Sequence, residues 1–460
     1  MPHHTARARA AQIDPSSLRK WFVPGIGVKR WFVLLFIGMG LLGLGVSFLL
    51  RELYVSVSLP GAFYYITLQF LPYAARGGIL IGLAVLCVGL GVGKFAGGLV
   101  AAARSGYRRN GVDEPLVDLL HRHRLGSRGI RIVCIGGGTG LSVLLRGLKE
   151  YTDNLSAVVT VADDGGSSGR LRRELGIIPP GDLRNCIAAL ADAEPLMTRL
   201  FQYRFPEDSG EGLAGHSFGN LFIVAMSDIA GGMEQAIQET GRVLAVRGGI
   251  LPATLEDVRL AAITADGETI RGESAITAAG KQISQLTLEP RRPPAYPDTL
   301  NALRNADLIV VGPGSLYTSV LPNLLVPELR IAFQESSAMK IYVSNVATQP
   351  GETDHYSVQD HVRTIAEHIG GVPFDCIVAN NNASARLPRN WRSEPVRHDP
   401  NAATESDLES VNLIQADIVD TGNRYRHDSA KLADAILTAY HELGEANLRL
   451  RRPSRAVIPI

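Results

Sequence analysis

Residues 131–148 read RIVCIGGGTGLSVLLRGL, and residues 158–170 read VVTVADDGGSSGR. The first stretch is a short β-branched apolar run, then glycines with a threonine, then an amphipathic helical pattern. The second is another apolar run that ends on two carboxylates and a glycine–serine turn. A strand, a glycine turn and a helix together form an anion site, because free N–H groups and the positive end of the helix dipole face the turn. A second parallel strand would bring Asp163 and Asp164 to the same sheet edge, where ligands of open α/β sheets bind. The pair of stretches predicts a nucleotide- or phosphate-ligand protein.

Outward from this core, short β-type runs alternate with helical stretches. Strands are expected at 131–135, 157–162, 307–311, 340–344 and 374–379. Helices are expected at 141–151, 182–191, 220–227, 233–240, 358–369 and 429–443. Such alternation implies βαβ units and a mainly parallel, doubly wound sheet. One stretch departs from it: 259–264 and 269–274 flank Asp266-Gly267 and read as a small antiparallel insertion. The expected architecture is α/β, a Rossmann-like doubly wound sheet with that insertion and an N-terminal two-helix transmembrane hairpin.

The hairpin rests on composition. Residues 31–50 are 20 residues without a charge, and 77–93 are 17 more. A bilayer core takes about 20 apolar residues per helix. Basic residues cluster before the first span and after the second, while the intervening loop holds only Arg51 and Arg76. Both ends are therefore expected to face the cytoplasm, with the main domain at the cytoplasmic membrane. The expected domain order is a basic segment 1–30, the hairpin 31–103, a basic linker 104–129, a nucleotide-binding domain 130–445 and a tail 446–460.

Over the whole chain of 460 residues, 46 basic and 45 acidic side chains nearly cancel. This balance argues against a nucleic-acid partner. Four scattered cysteines, Cys87, Cys134, Cys186 and Cys376, form no CxxC pair, so neither a zinc site nor a disulfide framework is expected.

Five constellations carry polar chemistry. Gly136, Gly137, Gly138, Thr139 and Gly140 form the first turn, and Leu141 breaks the GxGxxG spacing of a dinucleotide fingerprint. Asp163 and Asp164 precede a glycine–serine run in which Ser167 and Ser168 sit, a candidate second anion nest. Asp182 and Asn185 open a helix after Pro179-Pro180, with Asp182 either its cap or a ligand contact. His216 and Asn220 lie in the glycine-flanked GHSFGN loop, where an imidazole suits acid–base or phosphate work. Gly312, Gly314 and Ser315 form a second strand–turn–helix, with the two turns clasping one diphosphate between them. Asn345 and Gln349 offer uracil- or sugar-type hydrogen bonds, and Arg426 offers a bidentate diphosphate contact.

Together GGGTGLSVLLRGLK, VTVADDGGSSGRLR, PPGDLRNC, GHSFGNL, GPGSLYTSVLPNLL, NVATQPGET and RHD resemble the YvcK/CofD-like family. The likeness is to its YvcK branch, the gluconeogenesis factors. The resemblance implies a bound UDP-sugar such as UDP-N-acetylglucosamine. It also implies a regulatory part in cell shape and wall precursor supply during gluconeogenic growth, through a wall-synthesis or regulatory partner, with self-association as an option. Motif matching would place the first glycine turn, Asp163, Asp164, Ser167, Asp182, Asn185, Asn220, Gly314, Ser315 and Arg426 around the ligand. The CofD branch implies an alternative. There a 2-phospholactyl group passes from a guanosine diphosphate donor to a deazaflavin, with Mg2+ on Asp163 and Asp164 and His216 as a further catalytic candidate. The run GGSSGRLRRELGIIPPGDLRN departs from that branch's block after the paired aspartates.

Overall fold

The computed structural model describes residues 129–450, apart from 193–194, 211, 383–386, 388–391, 400–410, 421 and 423–425, with scattered positions between 39 and 82. The chain divides into units of residues 1–123 and 124–460. The hairpin expected at 31–103 lies almost wholly outside the described residues. Among the described residues, no helix is long and apolar enough to cross a membrane.

The second unit is built on seven parallel strands. In chain order they are β1 (Ile132–Gly136), β2 (Leu155–Val159), β3 (Gly249–Pro252), then β7 (Leu308–Val311), β8 (Met339–Val343), β9 (Cys376–Asn380) and β10 (Asn412–Ala416). Their spatial order is β10-β9-β8-β7-β1-β2-β3. Ile132 of β1 stands beside Leu155 on one side and Leu308 on the other. Central strands are covered on both faces and so read as unbroken apolar runs. All five residues of β1 and all four of β7 are buried.

Numbering the helices of this unit from its start, α1 (Gly138–Leu148) follows β1. Between β2 and β3 come α2 (Gly166–Leu175), α3 (Pro180–Leu190), α4 (Pro195–Phe201), α5 (Phe218–Ala230) and α6 (Met233–Val243). The antiparallel insertion has three strands, β5-β4-β6, from β4 (Arg259–Thr264), β5 (Thr269–Arg271) and β6 (Ile283–Glu289), with α7 (Glu273–Ala279) inside it. The expected second strand at 269–274 is therefore shorter, because Gly272 turns the chain into α7. Downstream lie α8 (Pro297–Arg304), a π-turn at Leu316–Val320, α9 (Leu321–Leu324), α10 (Pro327–Glu335), α11 (Val358–Ile369) and α12 (Ser429–Leu450). The last helix runs past residue 445, so part of the expected tail is helical.

From β1 the chain winds toward β2 and β3, whereas β7 to β10 extend the sheet the other way. Right-handed crossovers then put the two groups of helices on opposite faces. Here α1 packs on α3 and α12, while α10 packs on α8 and α9. The topological switch point lies between β1 and β7. Crossovers diverge there and leave a crevice at the carboxyl ends of the strands. Both glycine turns flank that crevice.

Candidate functional site at the sheet switch point

The first turn is shaped by close approach. Gly137 is the N-cap of α1 and supplies no side-chain cap. A Cβ on Gly137 would stand 2.6 Å from both Asp182 Oδ2 and Thr160 Cγ2, and one on Gly140 would stand 2.4 Å from the Pro313 carbonyl oxygen. Gly138 has φ +61°, a left-handed conformation that glycine adopts without penalty. Its N–H donates to the Asp182 carboxyl. Asp182 therefore does not cap its own helix, whose N-cap is Pro179. It reaches across to the first turn.

Asp163 and Asp164 part company. Asp163 Oδ1 accepts the Gly165 N–H at 2.9 Å, and its other oxygen would lie 2.9 Å from a Cβ on Gly181 at the start of α3. Asp164 Oδ1 accepts the Ser274 N–H at 2.8 Å. It caps α7 from outside, because Gly272 at that helix's N-cap has no side chain to do so. The carboxylates that share the crevice are Asp163 and Asp182, joined by Glu273. Burial first, and then the charge of Asp163, pushes Asp182 up to about 7. Glu273 is pushed up to about 8 by burial and by the charges of Asp163, Asp182, Asp164 and Glu352. This edge of the site holds protons near neutrality. Burial makes the Asp182 and Glu273 carboxyls costly to ionise.

Ser167, His216 and Asn220 are brought together as a buried knot. Ser167 lies in the first turn of α2, so the glycine–serine run is a helix start, not an open nest. Its Oγ lies 2.9 Å from His216 Nδ1 and accepts from Asn220 Nδ2 at 3.0 Å. Ser168 Oγ lies 3.5 Å from the same amide nitrogen. Ser167 and His216 are only 3% and 4% exposed. Burial, then the charge of Arg170, lowers the His216 pKa, which favours a neutral imidazole in a bracing role.

The second turn is closed by its neighbours. Gly312 has φ +80°. Asn345 accepts the Gly314 N–H at 3.2 Å and donates back to the Gly314 carbonyl at 2.9 Å. Ser315 Oγ accepts from the Thr318 N–H at 3.2 Å and donates to Glu352 Oε2 at 2.5 Å. Ser315 and Asn345 thus hold protein atoms within the second turn. The Gln349 backbone N–H donates to Thr353 Oγ1 at 2.9 Å, while its Oε1 is buried without a hydrogen-bond partner among the described residues.

A cavity of about 310 Å³ opens along the outer flank of α1. Thr139, Asn185 and Arg426 line it, with Arg146, Gln202, Asp420 and Asp428. Thr139, Ser142 and Arg146 lie along one helical face, so the cavity runs from the α1 N-terminus down its side. Arg426 reaches it from a two-strand ribbon, β11 (Val419–Asp420) and β12 (Arg426–His427), in which Asp420 pairs with Arg426. His427 is fixed at the Ser344 carbonyl, 3.1 Å from its Nε2, and burial pushes its pKa down to about 4. The ring is neutral at pH 7.

Sequence reasoning missed Glu273, Glu352, Arg184, Arg146 and Asp420. Glu352 and Arg184 stand inside motifs already singled out, NVATQPGET and PPGDLRNC. Glu273 gives no local signal, since only the fold brings it near the charges of Asp163, Asp182 and Asp164.

A doubly wound, mostly parallel sheet with a small antiparallel insertion, a glycine turn held by Asp182 and an arginine-lined cavity on the α1 flank defines a Rossmann-like α/β protein. The profile described as 2-phospho-L-lactate transferase CofD matches residues 132–419, and the chain belongs to the CofD family. Within it, the chain's relatives include the gluconeogenesis factors. The Bacillus subtilis gluconeogenesis factor is 46% identical over 314 residues, 68% of this chain and 98% of that protein. A relative from Nostoc sp. is 46% identical over 428 residues, 92% of each chain, and so shares part of the N-terminal quarter as well. The crystal structure of a UPF0052 family protein from Bacillus halodurans superposes with a TM-score of 0.62 at 44% identity. It covers 66% of this chain and 98% of that one.

Proposed function

We propose that this chain is a regulatory protein that binds a UDP-sugar of the UDP-N-acetylglucosamine type and reports on wall precursor supply under gluconeogenic growth. The observation that carries the reading is the flank cavity that runs from the α1 N-terminus. Thr139 opens the helix into it, and Asn185, Arg146 and Arg426 line it. An anion placed there meets the helix dipole and two guanidinium groups at once. The cavity falls within the ordinary range for small-molecule sites, about 300–1,000 Å³. The relatives' name, gluconeogenesis factor, supports the regulatory part. The same proposal includes a wall-synthesis partner, association between copies of the chain, and a tether to the cytoplasmic membrane through residues 31–103.

A phosphotransferase of the 2-phospho-L-lactate type is the second reading. It is favoured by the family profile and by the acidic wall beside the first turn. Mg2+ commonly takes one or two carboxylates together with substrate phosphates. Among the described residues, no group of three or more metal-type side chains converges. Asp163 and Asp182 are the pair that fits such an ion, because Asp164 is turned to α7. When bound, the ion would neutralise charge on the phosphoryl group in transfer. The chain's own residues fix that geometry: Gly138 N–H holds Asp182, and Gly165 N–H holds Asp163.

Calorimetric titration of the full chain with UDP-N-acetylglucosamine, with and without Mg2+, separates the readings. Saturable binding with the nucleotide recovered intact is the expected result. Cleavage or transfer would favour the enzyme, and no heat at millimolar ligand would remove the UDP-sugar. Arg426→Ala is expected to weaken UDP-sugar binding about tenfold or more and uridine binding less. Equal losses for both would take Arg426 off the diphosphate.

A further inference from the structure

Arg184 and Asn185 are consecutive residues of α3, yet only Asn185 lines the cavity. Arg184 is 9% exposed, and its stem is threaded past Gly219. A Cβ at Gly219 would stand 2.9 Å from Arg184 Cδ and 2.4 Å from the Phe201 carbonyl oxygen. The guanidinium Nη2 donates to Asn185 Oδ1 at 2.8 Å, and its Nε is buried without a hydrogen-bond partner among the described residues. A guanidinium has donors and no acceptor, so only the oxygen of the neighbouring amide can face it. Flipping that amide would set NH2 against N–H and leave two facing donors unmatched at a half-buried contact, which is the costly arrangement.

We infer that Arg184 is a positioning residue: it locks the Asn185 amide with its NH2 toward the cavity, so that Asn185 recognises an acceptor oxygen of the nucleotide ligand. The inference rests on the ligand reading above and deepens it. A donor held this way selects a phosphate or base carbonyl oxygen and refuses a donor at the same point. Asn185 therefore acts as a specificity residue, and Arg184 acts through it.

A double-mutant cycle on the full chain, read by calorimetry with UDP-N-acetylglucosamine, tests this. Arg184→Met and Asn185→Ala are each expected to weaken binding about tenfold. Arg184→Met made in the Asn185→Ala background should add less than about twofold. Multiplying losses would show that Arg184 acts by charge or by packing, and would overturn the inference while leaving the ligand reading intact. Asn185→Asp should lose as much as Asn185→Ala, because its carboxylate pairs with Arg184 and presents no donor. Arg184→Gln keeps a donor without the charge and should recover most of the affinity lost in Arg184→Met; no recovery would overturn the inference. If Arg184→Met fails to fold, Arg184→Gln in the Asn185→Ala and wild-type backgrounds gives the same comparison. Repeating the cycle with uridine locates the oxygen: equal losses place it on the base, and losses confined to the diphosphate compound place it on a phosphate. If the unmutated chain binds neither compound, both the inference and the ligand reading fall, an outcome distinct from multiplying losses.

Discussion

The two glycine turns look alike in sequence and behave differently in the folded chain. GGGTG at 136–140 and GPGS at 312–315 each follow a buried strand and open onto a helix, and they face each other across the switch point. The first has no cap from its own N-cap residue: Asp182 takes the Gly138 N–H, and Asn323 Nδ2 donates to the Gly136 carbonyl at 3.0 Å. The second has its Gly314 N–H and carbonyl taken by Asn345 and its serine taken by Thr318 and Glu352. Glycine content says how closely a backbone can be approached. What approaches it is decided by residues far away in the chain.

The largest effect should come from the point where the turns touch. Gly140→Ala places a Cβ 2.4 Å from a backbone oxygen and 2.8 Å from its carbon, neither of which can swing aside. A loss of about 3 kcal/mol or more is expected in denaturant unfolding. A loss below about 1 kcal/mol would mean that the turns slide past each other.

Ser315→Ala is the sharper test of the contrast. It removes the acceptor for the Thr318 N–H and the donor to Glu352. The expected cost is about 1–2 kcal/mol of stability, with nucleotide affinity unchanged within about twofold. A tenfold affinity loss would put the second turn back on the ligand.

A third test concerns protons. Asp182 has an ordinary value of 3.8 and a folded value of about 7. Below 3.8 both states hold the proton; between 3.8 and 7 only the folded state does. Stability contributed by this group therefore falls as pH rises through that window and is level above it. Asp182→Asn should flatten this slope, so that the variant gains on the wild type between pH 4 and pH 7 in parallel unfolding series. His427 works in the opposite sense. Its pKa falls from 6.5 to about 4 on burial, so it favours the folded state as pH rises. It is present in both proteins and cancels in the difference. A difference that does not move with pH would mean that Asp182 is already ionised in the fold.

The central strands were legible because burial on both faces leaves no room for polar residues. The edges were not. β3 (GILP) and β10 (NLIQA) each have one neighbour and a partly exposed face, so their patterns look like connectors. The start of α2, GSSG, hid a helix behind loop-type residues. The carboxylate pair is more instructive. β2 ends at Val159, so the two aspartates lie in the connection beyond it, where one turns to the Gly165 N–H and the other to the Ser274 N–H. The partner that joins Asp163 instead, Asp182, stood in the PPGDLRNC motif, but its pairing with Asp163 follows only from the fold's layering. Ser315 and Asn345 were read as ligand contacts from chemistry alone, and the hydrogen bonds each makes within the protein join positions 31 and 37 residues apart that no local motif reveals.

The contact between Gly140 and Pro313 makes the gap between β1 and β7 a gauge of fixed width. A jaw that cannot close transmits nothing by closing. On the proposed function, a signal of ligand binding would pass sideways, along α3 or through Asp164 into the antiparallel insertion whose helix it caps.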